Sequence, residues 1–165
     1  MRIRSIEAAD DAAVAAIVRT SLHAAGLDIP GTAYFDPQLD RLAEYYGAQE
    51  NRHYWVAEED SRVVGGVGIA PVAGAEGVCE LQKLYVDAAY RGRGYSKALI
   101  DTALPFAAQY FDRCYLETHS VLGVAGELYR SYGFAFLDGP LPGGEHSAMN
   151  RWAIKDLGDL RADAA

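Results

Sequence analysis

Charged and apolar positions alternate over residues 2–7, as they do on a strand buried on one side. From residue 11 the period changes. Val14, Ile17, Val18 and Leu22 recur at helical spacing, which predicts an amphipathic helix over 11–25, capped by Asp10 and Asp11 and terminated at Gly26. Residues 28–35 read as a loop. Residues 37–49 read as a second helix, opened by Asp36-Pro37 and carrying Leu39, Leu42, Tyr45 and Tyr46. Strands follow at 53–58 and 63–70, with a hairpin turn at Asp60-Ser61. Gly65, Gly66 and Gly68 leave room for a neighbouring backbone. Residues 78–86 form another strand. Residues 94–110 form a helix with Leu99, Ile100, Ala103 and Leu104 inward, and Pro105 should kink or end it. A strand at 113–118 and a short helix at 122–132, closed by Gly133, come next. Segments 134–137 and about 147–154 close the chain as two strands around an irregular loop, 138–145. Hairpins mixed with βα units predict a mixed α/β sheet rather than a purely parallel one.

The 165 residues match one ordinary domain, with no internal repeat or linker, and half of them are hydrophobic. Lys and Arg number 15 against 23 Asp and Glu, a net charge of -8. That balance disfavours nucleic acid, which needs basic groups for its phosphates. It attracts a cationic amine at long range, although solubility alone explains it. The two cysteines, Cys79 and Cys114, lack CxxC or Cys/His spacing, so buried thiols and no metal site are expected. The N-terminal MRIRSIEAADD has no apolar signal core, and no run approaches a membrane span. A cytoplasmic protein without a membrane partner is expected.

The densest chemistry lies after the 78–86 strand, at Arg91-Gly92-Arg93-Gly94-Tyr95-Ser96. A strand runs into a glycine-rich turn that opens a helix. Amides at a helix start have no intrahelical acceptor, and the dipole makes that end positive. Glycines allow close approach of a bulky anion, and two arginines add charged donors. Together these suggest a diphosphate site. A P-loop is absent, and Lys97 stands where a dinucleotide fingerprint needs its third glycine. An arginine-rich turn that merely caps the helix is the alternative.

Residues 80–96 resemble the central motif of the GNAT superfamily (GCN-five-related N-acetyltransferases), Arg/Gln-x-x-Gly-x-Gly/Ala after a strand reading Leu-Tyr-Val-Asp. Arg91, Gly94 and Ser96 fill the pattern, Ser96 departing from the usual Gly or Ala. Ala125-Gly-Glu-Leu-Tyr-Arg-Ser-Tyr-Gly-Phe134 is similar to the family's Ala-x-x-Leu-Tyr-x-x-x-Gly-Phe helix, with Leu122 in place of a frequent Asn. The longer pattern also looks like a little-characterised group of bacterial acetyltransferases.

The resemblance implies one domain over 1–165, with a central mixed, mostly antiparallel sheet flanked by helices. It implies acetyl-CoA as co-substrate and direct transfer to a primary amine of a small molecule or peptide. Coenzyme A would lie along Leu84, Tyr85 and Val86, with its diphosphate on the amides of Gly92, Arg93, Gly94, Tyr95 and Ser96 beside Arg91. An N–H near Leu84 would polarise the thioester carbonyl. Tyr129 matches the family's frequent general acid. Glu80 is the expected base: a carboxylate on a central strand is costly unless used, and alternation would place it on one face with Gln82 and Leu84. Glu117, His119 and a water relay are rivals. Tyr34, Phe35, Tyr45 and Tyr46 lie where the family walls its acceptor site, and packing alone also explains Tyr45 and Tyr46. Trp55 and Trp152 read as core, and His146 lines the acceptor side. A homodimer would suit the family's late strands. A catalytically silent acyl-CoA-binding regulator is the alternative function.

Overall fold

The computed structural model describes residues 1–144 and 146–164. Glu145, at the end of the expected loop, lies outside the described residues. Seven strands form one sheet: β1 (Arg2–Ser5), β2 (His53–Glu59), β3 (Arg62–Pro71), β4 (Val78–Val86), β5 (Arg113–Thr118), β6 (Ala135–Leu137) and β7 (Arg151–Asp156). Their order is β1-β2-β3-β4-β5-β7-β6, and among these pairings only β4–β5 is parallel. The sheet is therefore mixed and mostly antiparallel, as expected.

Among the described residues five α-helices flank it: α1 (Asp11–Ala24), α2 (Leu42–Gly47), α3 (Tyr95–Tyr110), α4 (Gly123–Ser131) and α5 (Gly158–Ala164). Helices α1 and α2 bury Val14, Val18, Leu22, Leu42 and Tyr46 against Val56 and Ala70. On the other face α3 buries Leu99, Ile100 and Ala103 with Leu81 and Cys114. Trp55 is buried in that second core, whereas Trp152 only flanks a smaller cluster around Tyr115. Among the described residues, no helix is long and apolar enough to cross a membrane.

Several local expectations are corrected. The second helix is shorter, because residues 39–41 form a 3-10 turn before α2. The last strand begins at Arg151, since residues 147–150 bend across to other segments: Ala148 N–H donates to Gly31 O and Asn150 N–H to Thr118 O. Asp10 does not cap α1; its carboxylate accepts from the Glu7 amide and from Arg4. Pro105 does not end α3, which runs on to Tyr110. One lost hydrogen bond is outweighed there by burial of Leu104, Ala107 and Ala108.

The glycines of β3 also differ from expectation. Gly65 does face backbone, Tyr85 O. Gly66 and Gly68, however, make room for aromatic rings. A Cβ at Gly66 would stand 2.5 Å from Tyr54, and one at Gly68 would stand 2.7 Å from Tyr46. Both rings are buried and both hydroxyls reach β4. Gly68→Ala is therefore expected to destabilise the fold by about 1–3 kcal/mol through overpacking. Urea denaturation checks this, and an unchanged midpoint would count against tight ring packing.

Candidate active site

Two features of β4 build the site. The first is a bulge. Gly68 pairs with Gln82, but Gly66 pairs with Tyr85, so β4 carries one extra residue. Lys83 occupies it at φ +50°, an unusual conformation for a side-chain-bearing residue. Tyr54 Oη donates to Lys83 O at 2.9 Å, and Lys83 Nζ is buried against Asp36 at 2.6 Å. These contacts hold the bulge in place.

The bulge reverses the side-chain alternation. Leu84 packs with Leu81 and Val86 in the α3-side core, while Glu80, Gln82 and Lys83 face α2 and the Asp36 segment. Glu80 and Leu84 thus lie on opposite faces, contrary to the alternation rule, which assumes an unbroken strand. Gln82 does share the face of Glu80, donating to its Oε2 at 3.1 Å and accepting from Tyr46 Oη at 2.6 Å.

The second feature is a parting of strands. Pairing of β4 with β5 covers Val78, Cys79 and Glu80 and stops at Glu80–Tyr115, while β5 continues in register with β7 to Thr118. Among the described residues, 81–86 therefore have no ladder partner on the β5 side. Cys79 and Cys114 face each other at the closed end as buried free thiols.

Beyond the open end lies the glycine-rich loop. Gly92 and Gly94 adopt φ +75° and +87°, and no atom lies within 4 Å of where a Cβ would stand. Gly94 is the N-cap of the 16-residue α3, so the amides of Tyr95, Ser96 and Lys97 lack intrahelical acceptors. The residues fit a diphosphate: an open cradle, orphan donors and a positive helix end. Arg91 Nε donates to Val86 O at 3.1 Å and its Nη2 to Ser21 Oγ at 3.3 Å, tying the loop to β4 and α1. Arg93 lies over Tyr90, 3.6 Å from Glu59. Tyr95 is buried and its hydroxyl binds Glu59, so only its amide is available to a ligand.

The polar end of the site is more elaborate than the sequence suggested. Glu80, Glu117 and His146 each offer an oxygen or nitrogen within 4.8 Å of the others. His146 Nε2 lies 2.9 and 3.0 Å from the two oxygens of Asp36. Burial would raise the Asp36 pKa, but His146 and Lys83 together hold it below the usual carboxylate range. Burial would lower that of His146, and the hydrogen bond and charge of Asp36 raise it instead. Glu80 is pushed up to about 7, chiefly by burial, with Glu117 adding to the effect. Burial also raises Glu117. His119 stands apart, its Nδ1 accepting from the Val121 amide.

Tyr129 sits on α4 in the α3-side core, edge-on to Phe134 at 5.9 Å. Among the described residues its hydroxyl has no hydrogen-bond partner. Burial raises its pKa, and it is near enough to Tyr85 on the opposite face to raise that one too. Tyr34 is half-buried, Phe35 exposed, and Tyr46 buried with its hydroxyl in the polar cluster.

The sequence reading missed Asp36 and Lys83 as parts of the site. Asp36 looked like a helix opener. Lys83 did carry a signal, since in Glu-Leu-Gln-Lys-Leu the polar alternation breaks at the lysine.

The arrangement of parted strands, anion cradle and buried acid cluster has close parallels. The family model "Acetyltransferase (GNAT) family" matches residues 22–134. The chain belongs to the GNAT acetyltransferase family. It is an enzyme of the N-acetyltransferase class. An uncharacterized N-acetyltransferase of Escherichia coli, YjgM, is 41% identical over 139 residues, covering 82% of this chain and 83% of that protein. Human N-acetyltransferase 8 is 35% identical over 113 residues, 64% of this chain, and the match spans only 50% of the human protein. An acetyltransferase of GNAT family from Staphylococcus aureus shares the fold at TM-score 0.84 and 21% identity, over 94% of this chain and 98% of that one. The structure of yncA from Salmonella typhimurium, solved with its cofactor acetyl-CoA, superposes at TM-score 0.74 and 21% identity, over 95% and 94% of the two chains.

Proposed function

We propose that this GNAT enzyme transfers the acetyl group of acetyl-CoA to a primary amine by direct attack in a ternary complex. One observation carries the proposal: the gap between β4 and β5 leads from the Gly92–Gly94 cradle toward Glu80 and its polar cluster. The acetyl-CoA bound by the Salmonella relative supports the choice of donor.

The diphosphate rests on the amides from Gly92 to Ser96, and the pantetheine arm pairs with the free edge of β4 at Leu84, Tyr85 and Val86. The Leu84 amide polarises the thioester carbonyl. An alkylammonium with a pKa near ~10.4 is almost wholly protonated at neutral pH, so a base is required. Glu80 takes one proton from the ammonium. The amine lone pair attacks the thioester carbon, the acylated nitrogen loses its second proton to water as the C–S bond breaks, and Tyr129 Oη protonates the departing thiolate. The tyrosinate recovers its proton from solvent. A phenol suits this step because burial keeps it neutral until the thiolate forms.

Coenzyme A release is measured with acetyl-CoA and a panel of butylamine, putrescine, lysine, a glycyl peptide and an aminoglycoside. Saturable acetyl-CoA binding with no turnover across this panel would favour a silent acyl-CoA binder. Arg91→Ala is expected to weaken acetyl-CoA binding by about tenfold, through both lost charge and a loosened loop. Calorimetry checks this, and unchanged affinity would remove Arg91 from the site.

A further inference from the structure

Three side chains at the acceptor end meet in a way that catalysis by Glu80 alone does not need. Glu80, Glu117 and His146 come from β4, β5 and the loop before β7, yet one polar atom of each lies within 4.8 Å of the other two. An ammonium donating to three acceptors at about 2.8–2.9 Å with tetrahedral angles holds them about 4.6–4.7 Å apart. The 4.8 Å bound on the cluster is thus compatible with a tripod around one –NH₃⁺.

The chemistry of each leg agrees. Glu80 is 8% exposed, and its Oε1 accepts no hydrogen bond among the described residues, Oε2 being occupied by Gln82. Glu117 Oε1 is buried and likewise unpartnered. The His146 backbone amide and the Trp152 indole approach that carboxylate and help keep it ionised, but neither makes a hydrogen bond to Oε1. Tyr115 Oη donates to the other oxygen at 3.2 Å. Such orphan acceptors cost free energy until a donor arrives. His146 is committed to Asp36 through Nε2, which favours the imidazolium; Nδ1 offers a lone pair only in the neutral ring, so this leg acts once that raised pKa is passed. Asp36 in turn is fixed by Lys83, which places the imidazole relative to β4. Gly144 lies over Glu117, where a Cβ would stand 2.8 Å from Oε1, so a side chain there would push the carboxylate aside.

We infer that Glu117 and His146, with Glu80, bind the acceptor as a primary ammonium and select it by its three N–H groups. Asp36 is the positioning residue for His146. Glu80 then removes one of the three protons, and the two other legs hold the nitrogen as its lone pair turns to the thioester. This rests on the amine-acetylation reading and adds a specificity rule to it.

Each panel amine that turns over is compared with its N-methyl derivative. Loss of one N–H is expected to lower kcat/KM at least about tenfold. Glu117→Gln and His146→Gln should raise the amine KM by about tenfold or more and leave the acetyl-CoA KM unaltered. A turnover-free measurement separates this from failure of acetylation itself. Butylammonium added to the coenzyme A-loaded enzyme should shift the His146 side-chain NMR signal saturably. Butyltrimethylammonium, which has the charge and no N–H, should not. Equal use of N-methyl amines, an amine KM indifferent to both substitutions, or an NMR response to both cations or to neither would overturn the inference. So would activity lost to a chelator and restored by Zn²⁺, since the three groups would then hold a metal.

Discussion

Glu80→Gln is expected to lower turnover by about 10²–10⁴-fold while acetyl-CoA affinity stays the same. The amide preserves shape but cannot take a proton. The wild-type pH profile should show the same role. Burial pushes the Glu80 carboxyl up to about 7. Only its ionised form is a base, so kcat/KM should rise with pH through about 7, and that limb should vanish in the variant. Stability should move the opposite way. A folded-state pKa above the ordinary 4.5 favours the fold while the group is protonated, fully below about 4.5, and that contribution is lost as pH rises through about 7. Above that window the wild-type enzyme holds a buried charge, at a cost on the order of 3 kcal/mol at most. Glu80→Gln should therefore melt higher than wild type at pH 8 and no higher at pH 4. A variant that keeps full activity, or keeps the limb near 7, would pass the role of base to Glu117 or to a water.

Tyr129→Phe should reduce kcat by about 10²-fold and leave the acetyl-CoA KM unchanged. The substitution is clean because the hydroxyl has no hydrogen-bond partner among the described residues, and packing against Phe134 survives without it. Steady-state kinetics with a thermal-melt control checks this. If the rate is intact and the melt unchanged, solvent rather than Tyr129 protonates the thiolate.

Most elements were legible from local rules. The 78–86 strand was read to its observed ends, because flanking glycine and aspartate bracket a run of buried side chains. The turn at Asp60-Ser61 holds two residues at positive φ, the geometry that a short hairpin demands. The alternation rule failed at Lys83, because a bulge is a relation between two strands. Its cause lies in rings of α2 and β2 that fill the space above Gly66 and Gly68. Asp36 and His146, 110 residues apart, were invisible as a pair for the same reason.

The glycine-rich loop stands between these two cases. Its open backbone follows from the sequence alone, since glycines free the chain and any helix start leaves amides without intrahelical acceptors. The surroundings of its two arginines were set only by packing. Arg91 is anchored to β4 and α1, whereas Arg93 is drawn off to Tyr90 and Glu59. The sequence by itself determined most of the elements and the family motif, products of short-range geometry, while α5 was not read from it. Tertiary structure decided the parting of β4 from β5, the face on which Glu80 lies and the company it keeps. Those depend on long-range contacts among segments that share no local pattern.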